Sequence, residues 1–493
     1  MSLSQVLNGR RAGLVLHPTS LPGPPGNGDL GSEAYHFVDF LQSCGVGVWQ
    51  MLPIGQPQSD SPYQCLSVHA GSHWLISLEI LRAWGWLTVP DNPDDFADLR
   101  DYRDAMLVHA YAGFKEKADA QSKQDLDAFI ERESGWLRDY ALFVALKDEY
   151  LGLCWQDWPH AQSSRQPPAL RAARERLEGA IHQVYFEQFV FDRQWYDLKK
   201  YANKKGVLLF GDLPIFVAYD SVDVWAQRKY FKLDKDGQME VVAGVPPDYF
   251  SEIGQRWGNP CYDWDALRQD NFRWWKKRIV RHLDMFDLIR IDHFRGFEAY
   301  WEIPASEPTA MHGHWVKAPG ETLFKSLLKK QAVLPVVAED LGLITAAVEA
   351  LRDKFELPGM KIFQFGFDGD PKNPHLPHNH ITRCVAYSGT HDNDTALSWF
   401  NGLNEHSREQ VLDYLGHSSD AMPWPVIRAV LGSVAELAVI PLQDLLGLGG
   451  EHRMNKPGTV EGNWQWRFSW EQVPDDAAAR FRHLVAMYNR LAD

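Results

Sequence analysis

Residues 288–296 read LIRIDHFRG: four residues dominated by aliphatic side chains, then a carboxylate, then a polar turn ending in glycine. A run this short, rich in isoleucine and bounded by turn residues, reads as a buried strand. The pattern recurs along the chain. Apolar runs at Gly13–His17, Val46–Leu52, Val207–Phe210, Val333–Ala338, Lys361–Phe367, Val385–Ser388 and Ala438–Leu442 each pass into a polar or glycine-rich turn. With Leu288–Ile291 they make eight. Helical segments separate them, which predicts repeated βα units and a parallel sheet. Eight such strands close a barrel. The expected fold is α/β, a (β/α)8 TIM barrel with large insertions between strands. An open doubly wound sheet competes, because periodicity alone does not separate closed from open. That fold would carry a nucleotide-binding turn, and LLGLGG (Leu445–Gly450) is one glycine short of one.

The spacing of the runs is uneven. About 150 residues separate the second from the third, far more than a crossover helix needs. Within them Ile181, Val184, Tyr185 and Phe189 form an amphipathic stripe, and Asp91–Lys147 is charged and helical in texture. The expectation is a single catalytic barrel over 1–493, with a largely helical insertion at 56–205 after the second strand. A second insertion at 218–287 follows the third strand. It contains a hairpin signal, FKLDKDGQMEVV, with Asp236-Gly237 at the turn. The proline-rich QPPAL around Pro167 and Pro168 reads as a loop.

Composition narrows the function. Hydrophobic residues make up 45% and charged residues 23%, the balance of a soluble globular enzyme. The net charge of −15 argues against nucleic acid or an anionic membrane as partner. Five widely spaced cysteines with no CxxC pair suit a reducing compartment. The first residues lack an apolar core of the signal-peptide kind, so the expected location is cytoplasmic. Twenty Trp, 17 Tyr and 25 Phe point first to a large core and second to sugar rings, whose apolar faces suit aromatic ones.

In a parallel barrel the C-terminal ends of the strands converge on one face. Asp212 (LLFGDLP), Asp292 (LIRIDHFRG), Glu339 (VVAEDLG) and Asp392 (YSGTHDND) stand there. Arg290 and Asp292, two apart on one strand, point to the same side, and a guanidinium that close favours an ionised carboxylate; a purely structural ion pair is the alternative. Glu339 follows an apolar run, where desolvation favours the protonated acid. One carboxylate ionised and one protonated is what glycoside chemistry requires. His391-Asp392 and HLPHNH (His375, His378, His380) lack the helical HExxH spacing of a metal site, and no calcium loop is present. No metal and no cofactor are expected.

Nine strings then take the reading further. They are HPTSLPGPPGNGDLG (His17–Gly31), WQMLPIG (Trp49–Gly55), SPYQ (Ser61–Gln64), GDLPIFV (Gly211–Val217), GVPPDYFSEIGQRWGNP (Gly244–Pro260), RIDHFRG (Arg290–Gly296), AEDLG (Ala338–Gly342), GTHDND (Gly389–Asp394) and RMNKPGTVEGNWQWR (Arg453–Arg467). In this order they resemble the amylomaltase, or disproportionating, family of 4-alpha-glucanotransferases, glycoside hydrolase family 77. The likeness runs almost end to end. It implies that Asp292 is the nucleophile, Glu339 the general acid/base, and Asp392 the acid that binds the distorted sugar and stabilises the transition state. It further implies that Arg290 and His391 flank the reacting ring, with Asp212 and Asn463 in the sugar site. Tyr63, with Ser61, falls on the family's aromatic platform, and Tyr249, Phe250, Gln255 and Trp257 fall on a loop over the cleft. The chain departs from the pattern after SPYQ, where Ser72-His73 replaces a usual Asn-Pro. Pro18 stands where Ile is often found, and His380 where an aromatic is common.

The implied reaction moves a segment of a 1,4-alpha-glucan to the 4-hydroxyl of an acceptor glucan or glucose, with retention, through a covalent glucosyl–aspartate. Maltooligosaccharides and related alpha-1,4-glucans would be its partners. A retaining pair of carboxyl groups sits about 5–5.5 Å apart. An alpha-amylase-like hydrolase and an inert glucan-binding protein on the same scaffold are the alternatives; the presence of all three acids argues against the second.

Overall fold

A computed structural model describes residues 6–90, 92–247, 251–329, 334–459 and 461–492. Twelve strands are found among them: β1 (Arg11–Val15), β2 (Val48–Gln50), β3 (Leu208–Leu213), β4 (Val241–Val245), β5 (Gln255–Pro260), β6 (Leu288–Ile291), β7 (Ala299–Pro304), β8 (His314–Lys317), β9 (Val336–Ala338), β10 (Gly359–Ile362), β11 (Cys384–Tyr387) and β12 (Leu437–Pro441). Eight pair in parallel in the order β10-β11-β12-β1-β2-β3-β6-β9. The remaining seam, between β9 and β10, is bridged where the Ala338 N–H donates to the Pro358 carbonyl at 2.8 Å. This is the expected (β/α)8 barrel, and each of its strands overlaps one of the eight apolar runs, β10 by only the first two residues of its run.

Strand alternation sorts the side chains. Val48, Phe210, Leu288, Val337, Val385, Tyr387 and Val439 fill the barrel interior, whereas Leu209, Ile289, Ile291, Val336 and Ala338 face outward into the larger core beneath the helices. Because the period is two, the same parity that puts Phe210, Leu288 and Val337 inside puts Asp212, Arg290 and Glu339 at the top of the interior. The fold thereby delivers charged groups to the C-terminal mouth with no change of backbone geometry. Gly211, on the outward face of β3, leaves room for Phe286: a Cβ there would lie 2.4 Å from its ring.

Between β2 and β3 run the helices Leu99–Lys117, Ala120–Arg132, Ser134–Glu149, Pro167–Arg176 and the 27-residue Glu178–Lys204. Ile181, Val184 and Phe189 are buried on the last, with Tyr185 half-buried beside them. Two buried glutamines of this helix hold the irregular chain that crosses it. The Gln188 amide exchanges bonds of 3.0 and 2.9 Å with the Gly71 backbone, and Gln194 does the same for Ser77 at 2.7 and 3.1 Å. They satisfy buried backbone groups of Gly71 and Ser77 that the local turns do not. QPPAL is not a loop: Pro167 and Pro168 open a helix, where their missing N–H groups cost nothing. At the predicted hairpin turn the Gly237 N–H donates to the Asp234 carbonyl at 3.0 Å, with Gly237 at φ +87°.

A second, antiparallel sheet has the order β5-β4-β7-β8. Its first half lies in the 218–287 segment, so Gln255 and Trp257 stand on a strand rather than in a loop, while Tyr249 and Phe250 lie outside the described residues. Its second half, β7 and β8, follows β6 and was not anticipated. β8 reads HWVK and is largely exposed, so it lacks the apolar run that marks a core strand. Among the described residues no helix is long and apolar enough to cross a membrane.

Candidate active site

The four carboxylates gather at the barrel mouth on β3, β6, β9 and the turn after β11. Backbone bonds continue the ladder beyond the strand ends: the Asp292 N–H donates to the Leu213 carbonyl and the Glu339 N–H to the Ile291 carbonyl, each at 3.0 Å. Adjacent strand ends therefore set Asp212, Asp292 and Glu339 side by side.

Arg290 is the hub. Its Nε donates to Asp212 Oδ1 at 3.1 Å and its second guanidinium nitrogen to Asp292 Oδ1. The side chains of Arg290 and Asp212 are 4% and 1% exposed. Removing Arg290 would leave Asp212 in the interior without its cation, at a cost of about 3–5 kcal/mol. Asp292 is 30% exposed and faces the cleft. Arg290 and Asp292, brought to the same side by strand parity, thus form a direct ion pair, with Asp212 as a third member.

Glu339 is set differently. Its Oε2 accepts from the His293 N–H at 2.6 Å and its Oε1 from the Leu341 N–H at 2.9 Å. His293 takes φ +50°, in the left-handed region, to aim that N–H; the conformation costs roughly 1–2 kcal/mol and marks a functional turn. Burial, and then the charge of Asp292, push the Glu339 carboxyl up to about 8, against the pull of Arg290 and the two backbone donors. At neutral pH the acid holds its proton. As pH rises through about 8 the proton is lost, so kcat/KM for maltotriose is expected to fall along a basic limb near that value. A profile flat to far higher pH would remove Glu339 from the acid role.

Tyr63 reaches into the mouth from the segment after β2. Its hydroxyl donates to Asp212 Oδ2 at 2.7 Å and lies 2.9 Å from His391 Nε2. Burial, and then the Asp212 charge, push the phenol well up, so it keeps its proton. That single proton goes to Asp212, which assigns the hydrogen on His391 to Nε2, facing both the Tyr63 oxygen and, at 3.4 Å, Asp392 Oδ1. The Tyr63 and His391 rings stack at 5.6 Å with 22° between planes. Ser61 acts on the turn: its hydroxyl oxygen accepts from the Tyr63 N–H at 3.3 Å.

Asp392, 47% exposed, is fastened by residues from the far end of the chain. Asn455 Nδ2 donates to its Oδ1 at 2.6 Å, and Arg453 donates to its carbonyl at 3.0 Å. Trp464, at φ +67°, sets its ring 5.8 Å from Tyr63 and 5.9 Å from His391. Sequence reasoning did not single out Arg453, Asn455 or Trp464, although all three lie in RMNKPGTVEGNWQWR. Asn463, which it did single out, gives its amide to its own loop: Oδ1 accepts from the Lys456 N–H at 2.9 Å, and Nδ2 donates to the Thr459 carbonyl at 2.9 Å. On the opposite wall Trp257 stands edge-on to His293 at 4.8 Å and donates to Gln255 Oε1 at 3.1 Å.

The three histidines of HLPHNH are occupied by hydrogen bonds. His375 Nδ1 accepts from the Ile362 N–H, His378 Nδ1 meets the Tyr414 hydroxyl, and His380 Nε2 meets the His375 carbonyl. Among the described residues the one group with metal-ligand spacing is Glu409, Asp413 and His417, all exposed on a surface helix and its end.

A carboxyl group paired with a guanidinium beside a buried acid that holds its proton, with an aromatic stack at one side, is equipped for retaining glycosyl transfer. Comparison with known proteins agrees. The sequence profile of the 4-alpha-glucanotransferase family, glycoside hydrolase family 77, matches residues 16–472. The chain is 48% identical to the 4-alpha-glucanotransferase of Thermus thermophilus, over 98% of this chain and 99% of that one. It is 45% identical to that of Synechocystis sp., over 98% and 99%. The amylomaltase of Streptococcus agalactiae, solved in complex with acarbose, superposes with a TM-score of 0.94 at 38% identity, over 98% of this chain and 99% of that one. The chain belongs to glycoside hydrolase family 77, the 4-alpha-glucanotransferases.

Proposed function

We propose that this 4-alpha-glucanotransferase works by a double displacement in which Asp292 is the nucleophile and Glu339 the acid/base. The observation that carries the reading is the contrast between the two carboxyl groups: Asp292 is ion-paired with Arg290, and Glu339 is pushed up to about 8. Asp292 attacks the anomeric carbon while Glu339 protonates the leaving glycosidic oxygen, giving a glucosyl ester on Asp292. Glu339, now a carboxylate, takes the proton from the 4-hydroxyl of an incoming glucan or glucose. That oxygen displaces Asp292, and two inversions give retention. The Asp392 carboxylate would stabilise the oxocarbenium-like ring as it develops positive charge, with Arg290 and His391 flanking that ring. Tyr63 and Trp464 offer it stacking faces, Ser61 holds the Tyr63 turn, and Asp212 anchors Arg290. Gln255 and Trp257 would cover the acceptor side and keep water out; Asn463 would shape the loop that carries Trp464.

The whole chain acts in this reading as one catalytic barrel, with 56–205 as the wall bearing Tyr63 and 218–287 as the wall bearing Trp257. Its partners are maltooligosaccharides and longer alpha-1,4-glucans, with glucose as an acceptor. We assign it to the cytoplasm, a reading supported by five cysteines that are all free. The test is incubation with maltotriose alone. Transfer yields longer maltooligosaccharides and glucose with reducing ends nearly constant. Rising reducing ends without longer products would make the enzyme a hydrolase, and no change would leave a binding protein.

A further inference from the structure

Of the twenty tryptophans, Trp315 is the one the fold leaves exposed, at 39%. It stands on β8, outside the cleft. Its inner face lies on the buried guanidinium of Arg295, 3.7 Å from the ring centre, and it meets its cross-strand partner Trp301 at 5.2 Å, nearly edge to face. Gly313 lets the chain pass close over Trp301, since a Cβ there would fall 2.3 Å from Trp301 Nε1. The exposed ring is therefore held in one orientation before anything binds. Lys317, on the same face of the strand and paired with Glu298, puts an exposed ammonium and a carboxylate beside it.

We propose that the outer face of Trp315 is a docking platform for alpha-1,4-glucan chains, outside the catalytic cleft. A fixed aromatic face with hydrogen-bonding charges at its rim suits a glucose ring, which is apolar on its faces and hydroxylated at its edge. The guanidinium beneath satisfies the inner face electrostatically and leaves the outer one free. Continuity with the site supports a glucan as occupant. Arg295 is three residues past Asp292, and it donates to the carbonyl of Leu343, four past Glu339. Arg295 thereby ties Trp315 to the turns that follow both carboxylates. The proposal rests on the alpha-1,4-glucan reading of the cleft.

Electrophoresis through native gels with and without amylose measures docking independently of turnover. Trp315→Ala is expected to weaken retardation by amylose about fivefold, the size of one lost aromatic stack. Trp315→Phe, which keeps an aromatic face, is expected to retain most of it. Both variants are expected to transfer glucose units from maltotriose at the wild-type rate, so the loss falls on long glucans alone. Wild-type retardation of Trp315→Ala would overturn the proposal. So would an equal loss of retardation and maltotriose transfer, which would mean that Trp315 only supports the rim. Failure of the wild type to transfer from maltotriose would sink the activity reading and leave the gel result to stand or fall by itself.

Discussion

Asp292→Asn lowers glucan transfer by a factor on the order of 10⁴ or more, because the ester that carries the glucosyl group then has no oxygen anion to form from. The fold survives the change. The amide keeps the size of the carboxylate and an oxygen for Arg290, and Arg290 retains its second, fully buried partner Asp212. Circular dichroism and the thermal midpoint should therefore stay near wild type while product formation from maltotriose disappears. Near-normal transfer would remove Asp292 from the nucleophile role. A collapsed fold would instead make the Arg290–Asp292 pair structural, the alternative that the two-residue spacing alone leaves open.

Glu339→Gln has the second-largest effect, and it depends on the donor. With a natural glucan the leaving oxygen needs a proton, and transfer should fall about 10²–10⁴-fold. With a glycosyl fluoride the leaving group departs unaided, so glucosylation of Asp292 proceeds while the second step, which needs a base, is slow. The amide cannot titrate, so the basic limb near pH 8 should vanish from the fluoride reaction. The backbone donors of His293 and Leu341 still find an acceptor at one amide position only, since the NH2 group cannot accept, and a small stability loss follows. If fluoride and glucan donors fell equally, Glu339 would be a positioning group rather than the acid.

The barrel was legible because each strand is a short apolar run whose neighbours in space are also its neighbours in order around the sheet. Residue parity went further: from Phe210 and Leu288 alone one can count two residues to Asp212 and Arg290. The ring of contacts around Tyr63 is different in kind. Its hydroxyl joins residues 149 and 328 positions away, and no local periodicity encodes such a meeting; family strings supplied it. Asn455 and Trp464 escaped notice because a loop with glycine, proline and polar residues carries no period to read. β7 and β8 escaped for a different reason: Ala299–Pro304 does not alternate, and its partner β8 is polar, with Trp315 on the surface instead of in a core. Five tryptophans, Trp49, Trp155, Trp195, Trp225 and Trp275, are fully buried, which favours the core explanation of the high aromatic content.

The most direct test of the mechanism is peptide mass spectrometry of Glu339→Gln enzyme quenched during reaction with a maltosyl fluoride. The account predicts a peptide containing Asp292 that carries the mass of the transferred maltosyl group, released on adding an anionic nucleophile such as azide. An adduct on any other residue, or turnover of the fluoride with no adduct at all, would contradict it.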